Sequence, residues 1–309
     1  MKIVFMGTPE FACSALQALI EDGQEVALVL TQPDKPKGRG YALTPSPVKL
    51  LAQSAGLRVE TPPTLRTPEA EELLRAVNAD LFVVAAYGKI LPASVLQIPP
   101  MGCVNVHASL LPAWRGAAPI QRAVLNGDRV GGVTMMYMDE GLDTGDIILQ
   151  RSMEIPPEMT GGEYHDALAS LGGEALREFL RLAESGTVPR MPQEGEFTYA
   201  AKIEKADQLV TFRETAEQTH NRIRAMAPAP SAYSFLNGKR VKLHASRIGE
   251  GNKKGEPGEI LSAGKDGIEV ACGEGSVLLT VLQPEGKGKM DANSFRNGLQ
   301  NKGGLCFHE

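Results

Sequence analysis

What this chain of 309 residues is short of narrows its class before any motif is read. It has four cysteines, at positions 13, 103, 272 and 306, with no close pair and no CxxC. Such spacing argues against a disulfide framework or a structural zinc site and fits a reducing compartment. No stretch approaches the roughly eighteen uninterrupted apolar residues of a membrane span. The N-terminus MKIVFMG goes directly into a strand, with no apolar leader before a small-residue cleavage site. Neither a span nor an export signal is expected, and the cytoplasm is the expected location. The turn MGTPEF after the first strand lacks GxGxxG, so a dinucleotide fingerprint is absent. Positive charge is not in excess either: the net charge is −5. Residues 1–206 carry 18 Lys+Arg against 25 Asp+Glu, and 207–309 carry 14 against 12. Any contact with phosphate would therefore rest on local patches rather than on the total.

What is present describes an ordinary globular protein, 42% hydrophobic and 22% charged, long enough for two domains. KIVFMG (2–7) is a buried strand by length and apolar content. Thr8 offers an N-cap and Pro9 a first helical position. Phe11, Ala15, Leu16, Leu19 and Ile20 then form a helical stripe that stops near Gly23, and EVALVLTQ (25–32) is a second strand. This βαβ opening predicts a parallel sheet and an α/β class. Helices follow at 47–56 and at 67–77, the latter capped by Thr67 with acids in its first turn. DLFVVAAYG (80–88) has the continuous apolar character of a central strand buried on both faces. GGVTMMYMDEGLDTGDIILQRSMEI reads as two strands flanking the loop 139–145. Residues 160–186 read as a long amphipathic helix, broken or bent at Gly172-Gly173.

Two stretches differ from this pattern. Residues 33–47 form a long loop rich in proline and glycine, with Lys35, Lys37 and Arg39 against a single acid, Asp34. It is either a solvated connection or a basic flap for a phosphate-rich partner. After Gly186 the chain turns polar, with Pro189 and Pro192, and reads as a loosely packed linker over 190–206. Beyond it come one helix (215–226) and several short strands punctuated by Asn237-Gly238 and Asp266-Gly267, the signature of hairpins in a small β-barrel.

The residues with chemistry to offer gather at 105–112, NVHASLLP, and at 141–147, GLDTGDI. Asn105 and His107 stand two apart at the end of a predicted strand and so share a face. Parallel sheets place their chemistry at such carboxyl edges. An amide, an imidazole and the carboxylate of Asp143 have complementary roles as oxyanion donor, proton carrier and orienting group. Asp143 is expected to favour the charged imidazole. Asp139, Glu140 and Asp146 beside it read as solvated acids rather than metal ligands, and no metal is expected.

NVHASLLP, WRGAAPIQRA (114–123), GLDTGDI and TQPDKPKGRG (31–40), in this order and spacing, closely resemble the methionyl-tRNA formyltransferase family. The likeness runs from MKIVFMGTPEFA to LQPEGKGKM (282–290). It implies a Rossmann-like α/β formyltransferase domain with a mostly parallel sheet over 1–189, a linker over 190–206, and an OB-like β-barrel that binds tRNA over 207–309. It implies transfer of a formyl group from 10-formyltetrahydrofolate to the α-amino group of methionine on initiator tRNA; a monomer is expected. On this resemblance Asn105, His107 and Asp143 are catalytic, while Ser109, Leu110, Leu111 and Pro112 contact folate. Lys35, Lys37 and Arg39 belong to the basic loop that meets the tRNA and is expected to order on it. Ala229, in APAPSAY, stands where relatives carry tryptophan, which touches only packing in the second domain. Glycinamide-ribonucleotide and sugar-nucleotide formyltransferases and formyltetrahydrofolate hydrolases share the constellation. Residues 207–309 and the GRG loop disfavour them, and the intact trio disfavours a purely RNA-binding module.

Overall fold

The computed structural model describes residues 1–37, 42–250, 254–298 and 305–308. The chain forms two compact units, neither contiguous in sequence. The first draws on Met1–Gly116, Gly131–Met153 and His165–Ala200, and the second on Ala117–Val130, Glu154–Tyr164 and the chain from Ala201 onward.

The first unit is built on a seven-stranded sheet. Its strands are β1 (Lys2–Gly7), β2 (Glu25–Leu30), β3 (Val59–Glu60), β4 (Leu81–Ala85), β5 (Cys103–His107), β6 (Val130–Tyr137) and β7 (Ile147–Glu154), in the order β7-β6-β5-β4-β1-β2-β3. The pairs from β3 across to β5 are parallel, and β6 joins β5 antiparallel. Alternate residues of β1 explain why it sits inside the sheet, away from either edge. Val4 and Met6 join Leu28, Leu30, Phe82 and Val84 in one apolar cluster, while Ile3 and Phe5, pointing the other way, are equally buried. From β1 the sheet winds outward in two directions, through β2 and through β4. That switch opens a crevice beyond the carboxyl ends of β1 and β4. Three polar contacts fix its floor. The Thr8 hydroxyl donates to the carbonyl of Tyr87 (3.0 Å), and the Gln32 amide donates to the carbonyls of Tyr87 and Gly88 (3.1 and 3.2 Å).

Thr8 is therefore not a helix cap. The helix begins at Glu10 with Pro9 before it and no side-chain cap, because the Thr8 hydroxyl is spent on the neighbouring strand end. The Gly172-Gly173 pair does not break the long helix either, which is continuous over Gly161–Glu184. Its glycines permit close approach instead. A Cβ on Gly172 would lie 3.0 Å from the Val106 side chain, and one on Gly173 would lie 3.2 Å from the Ser14 carbonyl. Within the basic loop, Lys35–Lys37 and Ala42–Thr44 pair as a short antiparallel ladder.

The second unit carries an antiparallel sheet of β8 (Ala232–Leu236), β9 (Lys239–Ile248), β10 (Ile260–Ala263), β11 (Ile268–Ala271) and β12 (Ser276–Pro284), in the order β10-β11-β12-β9-β8, with Phe307–His308 beyond β8. Asn237 (φ 52°) and Gly238 (φ 72°) turn β8 into β9, the left-handed pair that a two-residue hairpin needs. The helix Ala216–Ala225 starts on a capping box, in which the Thr215 hydroxyl accepts from the Gln218 N–H and the Gln218 side chain accepts from the Thr215 N–H. It ties in the two outlying stretches of the unit. His220 Nε2 donates to the Pro157 carbonyl (3.2 Å) and Arg224 Nη1 to that of Met159 (2.8 Å). Arg122 makes a bidentate pair with Asp207 at 2.8 and 2.9 Å. Ala229 is exposed, so its small side chain leaves no hole in the core.

Candidate active site

β5 ends beside the crevice with Asn105 and His107 on it. Asn105 is half-buried, and its side-chain amide has no hydrogen-bond partner among the described residues. His107 is buried, with Nε2 3.1 Å from the carbonyl of Trp114. A carbonyl can only accept, so Nε2 carries the hydrogen and Nδ1 is bare in the neutral ring. Nδ1 faces Asp143 Oδ2 at 3.7 Å, too long for a hydrogen bond but close enough for strong attraction once the ring is protonated.

Burial pushes the His107 pKa down, and the opposing pull of Asp143 and of the Trp114 hydrogen bond does not make up the difference. Asp143 favours the charged imidazole, as expected, but its pull is outweighed by desolvation. The resting site thus holds a neutral imidazole whose basic nitrogen points at a carboxylate. It can accept a proton, and the carboxylate stabilises the cation that results.

Asp143 is placed by its backbone as much as by its side chain. Its φ is 53°, in the left-handed region. Its Oδ2 accepts from the N–H of Gly116 at 2.8 Å, and its carbonyl accepts from the Gln193 amide, also at 2.8 Å. The acids around it have other duties. Asp139 accepts from the Gly141 N–H (3.0 Å) and the Thr144 hydroxyl (2.7 Å), and Asp146 pairs with Arg190 at 2.7 Å. Among the described residues no group of three or more His, Cys, Asp or Glu could hold a metal ion.

The SLLP turn is divided between core and surface. Ser109 and Leu111 are each 3% exposed, and Leu111 packs with Met136 and Ile147, whereas Leu110 and Pro112 are half-exposed. The Ser109 hydroxyl donates to the Ala113 carbonyl at 2.6 Å. Beneath the turn lies Thr134, the β6 residue paired with His107. Its hydroxyl donates to the Ser109 carbonyl (2.7 Å) and accepts from the Leu111 N–H (3.1 Å) and the Gln150 amide (3.0 Å). Gln150 also donates to the Leu111 carbonyl at 2.9 Å. Neither residue stands out from the sequence as functional; the only trace is a single threonine in the apolar run of β6.

Of the basic loop, Lys35 is exposed and donates to the Gln32 side chain at 2.6 Å. Lys37 lies in the short ladder, and Arg39 lies outside the described residues. Asn105, His107, Asp143 and the SLLP turn are all carried by the first unit.

A buried proton carrier, an unpaired amide donor and no activated hydroxyl or thiol between them suit acyl transfer to a nucleophile that arrives with the substrate. The comparisons agree with that class. Residues 1–180 match the family described as formyl transferase, and 202–300 match the formyl transferase C-terminal domain. A methionyl-tRNA formyltransferase of Geotalea daltonii is 48% identical over 97% of this chain and 96% of its own length. One of Symbiobacterium thermophilum is 50% identical over 96% of this chain and 92% of its own. This chain belongs to the methionyl-tRNA formyltransferase family. Among solved structures, an N-formyltransferase of Helicobacter canadensis, in complex with folinic acid and dTDP-3-aminofucose, superposes with a TM-score of 0.69 over 92% of this chain and 99% of that one. At 18% identity it speaks for the fold alone.

Proposed function

We propose that Asn105, His107 and Asp143 carry the reaction of this enzyme: transfer of a formyl group from 10-formyltetrahydrofolate to the α-amino group of methionine on initiator Met-tRNA. The amine attacks the formyl carbon, a new C–N bond forms, the bond to N10 breaks, and one proton passes from the amine to N10. The observation that supports this assignment above all is the bare Nδ1 of a neutral, buried His107 facing Asp143. His107 takes the amine proton, Asp143 stabilises the imidazolium, and the proton is returned to the leaving nitrogen. The unpartnered amide of Asn105 donates to the oxyanion that develops on the formyl oxygen, a contribution on the order of 10²–10³ in rate. The amine must be neutral to attack, and an α-amino pKa of about 8 leaves enough of it so near neutral pH.

The half-exposed Leu110 and Pro112, together with backbone groups of the Ser109–Leu111 turn, contact the folate. Lys35, Lys37 and Arg39 neutralise phosphates of the tRNA, and the barrel domain over 207–309 also binds it, with 190–206 joining it to the catalytic residues 1–189. The enzyme acts as a monomer in the cytoplasm. No helix among the described residues is long and apolar enough to cross a membrane.

The test is formyl transfer to charged initiator tRNA, run beside a 4-amino sugar nucleotide as the competing acceptor. The tRNA is the expected acceptor; activity on the sugar alone would sink the assignment. Asp143→Asn is expected to lower kcat roughly 10²–10⁴-fold with tRNA binding kept, by analogy with other His–Asp pairs. Unchanged turnover in that variant would remove Asp143 from the mechanism.

A further inference from the structure

We infer that Gln193 is a positioning residue for formyl transfer, fixing the backbone of Asp143 and fastening it to the 114–116 loop opposite. The inference rests on the assignment of Asp143 to the reaction. Residues 191–200 are polar and proline-punctuated, with nothing in their composition to suggest a role at the site. In the fold they are tied down at both ends. Met191 and Ile147 exchange two backbone hydrogen bonds, at 2.7 and 2.9 Å, while the Thr198 hydroxyl accepts from the Trp114 N–H at 2.9 Å and Tyr199 pairs with Arg115.

Between these anchors the Gln193 side chain uses its whole hydrogen-bonding capacity. Nε2 donates to the carbonyls of Asp143 and Gly145, each at 2.8 Å, and Oε1 accepts from Arg115 Nε and Nη2 at 3.1 and 2.7 Å. One amide thus joins the two loops that meet at His107. Asp143 lies in one of them, with the positive φ that a non-glycine residue keeps only when its surroundings enforce it. Trp114 and Gly116, which hold the imidazole and the Asp143 carboxylate respectively, lie in the other. Gly116 makes the second link between the loops, but it grips only the carboxylate. Without Gln193 the Asp143 and Gly145 carbonyls lose their donor, the φ of 53° loses what enforces it, and the carboxylate drifts from Nδ1.

The experiment measures steady-state formylation of Met-tRNA by Gln193→Ala, Gln193→Glu, Asp143→Asn and the Gln193→Ala/Asp143→Asn double variant. Gln193→Ala is expected to lower kcat roughly 10–100-fold, since small misplacements of reacting groups cost that much. KM for the formyl donor and for Met-tRNA should stay within about 3-fold, a split that general loosening of the fold would not give. Gln193→Glu keeps the length and the acceptor for Arg115 but cannot donate to the two carbonyls, so it should be no better than Ala. In the double variant Gln193→Ala should add no more than about 2-fold to the loss from Asp143→Asn, because its effect runs through Asp143. The proposal is overturned if Gln193→Ala keeps wild-type kcat, if Glu restores it, or if the two losses multiply. Wild-type turnover in Asp143→Asn would instead remove the reading of Asp143, and this proposal with it.

Discussion

Thr134→Val separates the hydroxyl of Thr134 from its shape. Valine has nearly the same volume and suits a β-strand, so any loss reports the hydrogen bonds. The Thr134 side chain is fully buried and serves three partners, the Ser109 carbonyl, the Leu111 N–H and the Gln150 amide. Gln150 retains the Leu111 carbonyl as an acceptor, so its loss is small. The Ser109 carbonyl and Leu111 N–H belong to residues only 3% exposed and face desolvation without this partner. A buried polar group left unsatisfied costs about 1–3 kcal/mol. Two such groups, less some tenths for the better strand residue, give a destabilisation of about 2–6 kcal/mol. With a urea slope of about 2 kcal/mol/M, the midpoint for the unit that carries the parallel sheet should fall by roughly 1–3 M. Thr134→Ser keeps the hydroxyl and should lose about 1 kcal/mol, the order of one buried methyl group. Urea unfolding followed by far-UV circular dichroism measures both. A valine variant as stable as the serine variant would refute the reasoning, because the turn would then not depend on the hydroxyl.

Acid should weaken the fold earlier than its carboxylates require. His107, His220 and His244 all have pKa values pushed below the ordinary 6.5, mainly by burial. The unfolded chain takes up protons that the folded one resists, so stability is complete above about pH 6.5 and declines as the pH falls below it. The slope is at most about 1.4 kcal/mol per pH unit for each such histidine. Urea midpoints at pH 7.5, 6.5 and 5.5 measure this, and a midpoint that rises on acidification contradicts it. Gly116→Ala tests the other loop. Gly116 has φ 119°, and a Cβ there would lie 3.0 Å from the Ala200 carbonyl, so the backbone must shift the N–H that holds Asp143. Formylation kcat should fall at least about 10-fold, with about 1–3 kcal/mol of stability lost to strain; wild-type kcat would show that this N–H is dispensable.

Where one physical signal dominates, the sequence was readable. Continuous apolar runs identified β1 as a buried strand and β4 as one buried on both faces, and Asn237-Gly238 marked a hairpin because few other pairs take left-handed φ twice. Asn105, His107 and Asp143 could be named from residue types and family resemblance, but not the balance of forces on His107, which depends on how deeply the ring is buried. Thr134 and Gln193 escaped for a different reason. Periodicity tells which face of an element is covered, whereas their roles depend on pairing between stretches far apart in the chain. Thr134 reaches the SLLP turn because β6 sits antiparallel to β5 in one particular register. Gln193 reaches Asp143 because Met191 pairs with Ile147. The Gly172-Gly173 pair misled for the same reason, since a helix cannot announce in sequence how near a strand it must lie.

The interleaving of the two units has a consequence for synthesis. Residues 117–130 leave the ribosome long before the chain from Ala201 onward with which they form a unit. At about 5–20 residues per second, the wait for the helix Ala216–Ala225 is on the order of five to twenty seconds. Throughout it Ile120, Ala123 and Val124, buried in the finished protein, lack the surface against which they finally pack. The nascent enzyme therefore cannot mature as two beads in succession. It passes through a period with an apolar helix segment uncovered, when a holding chaperone would find a ready client.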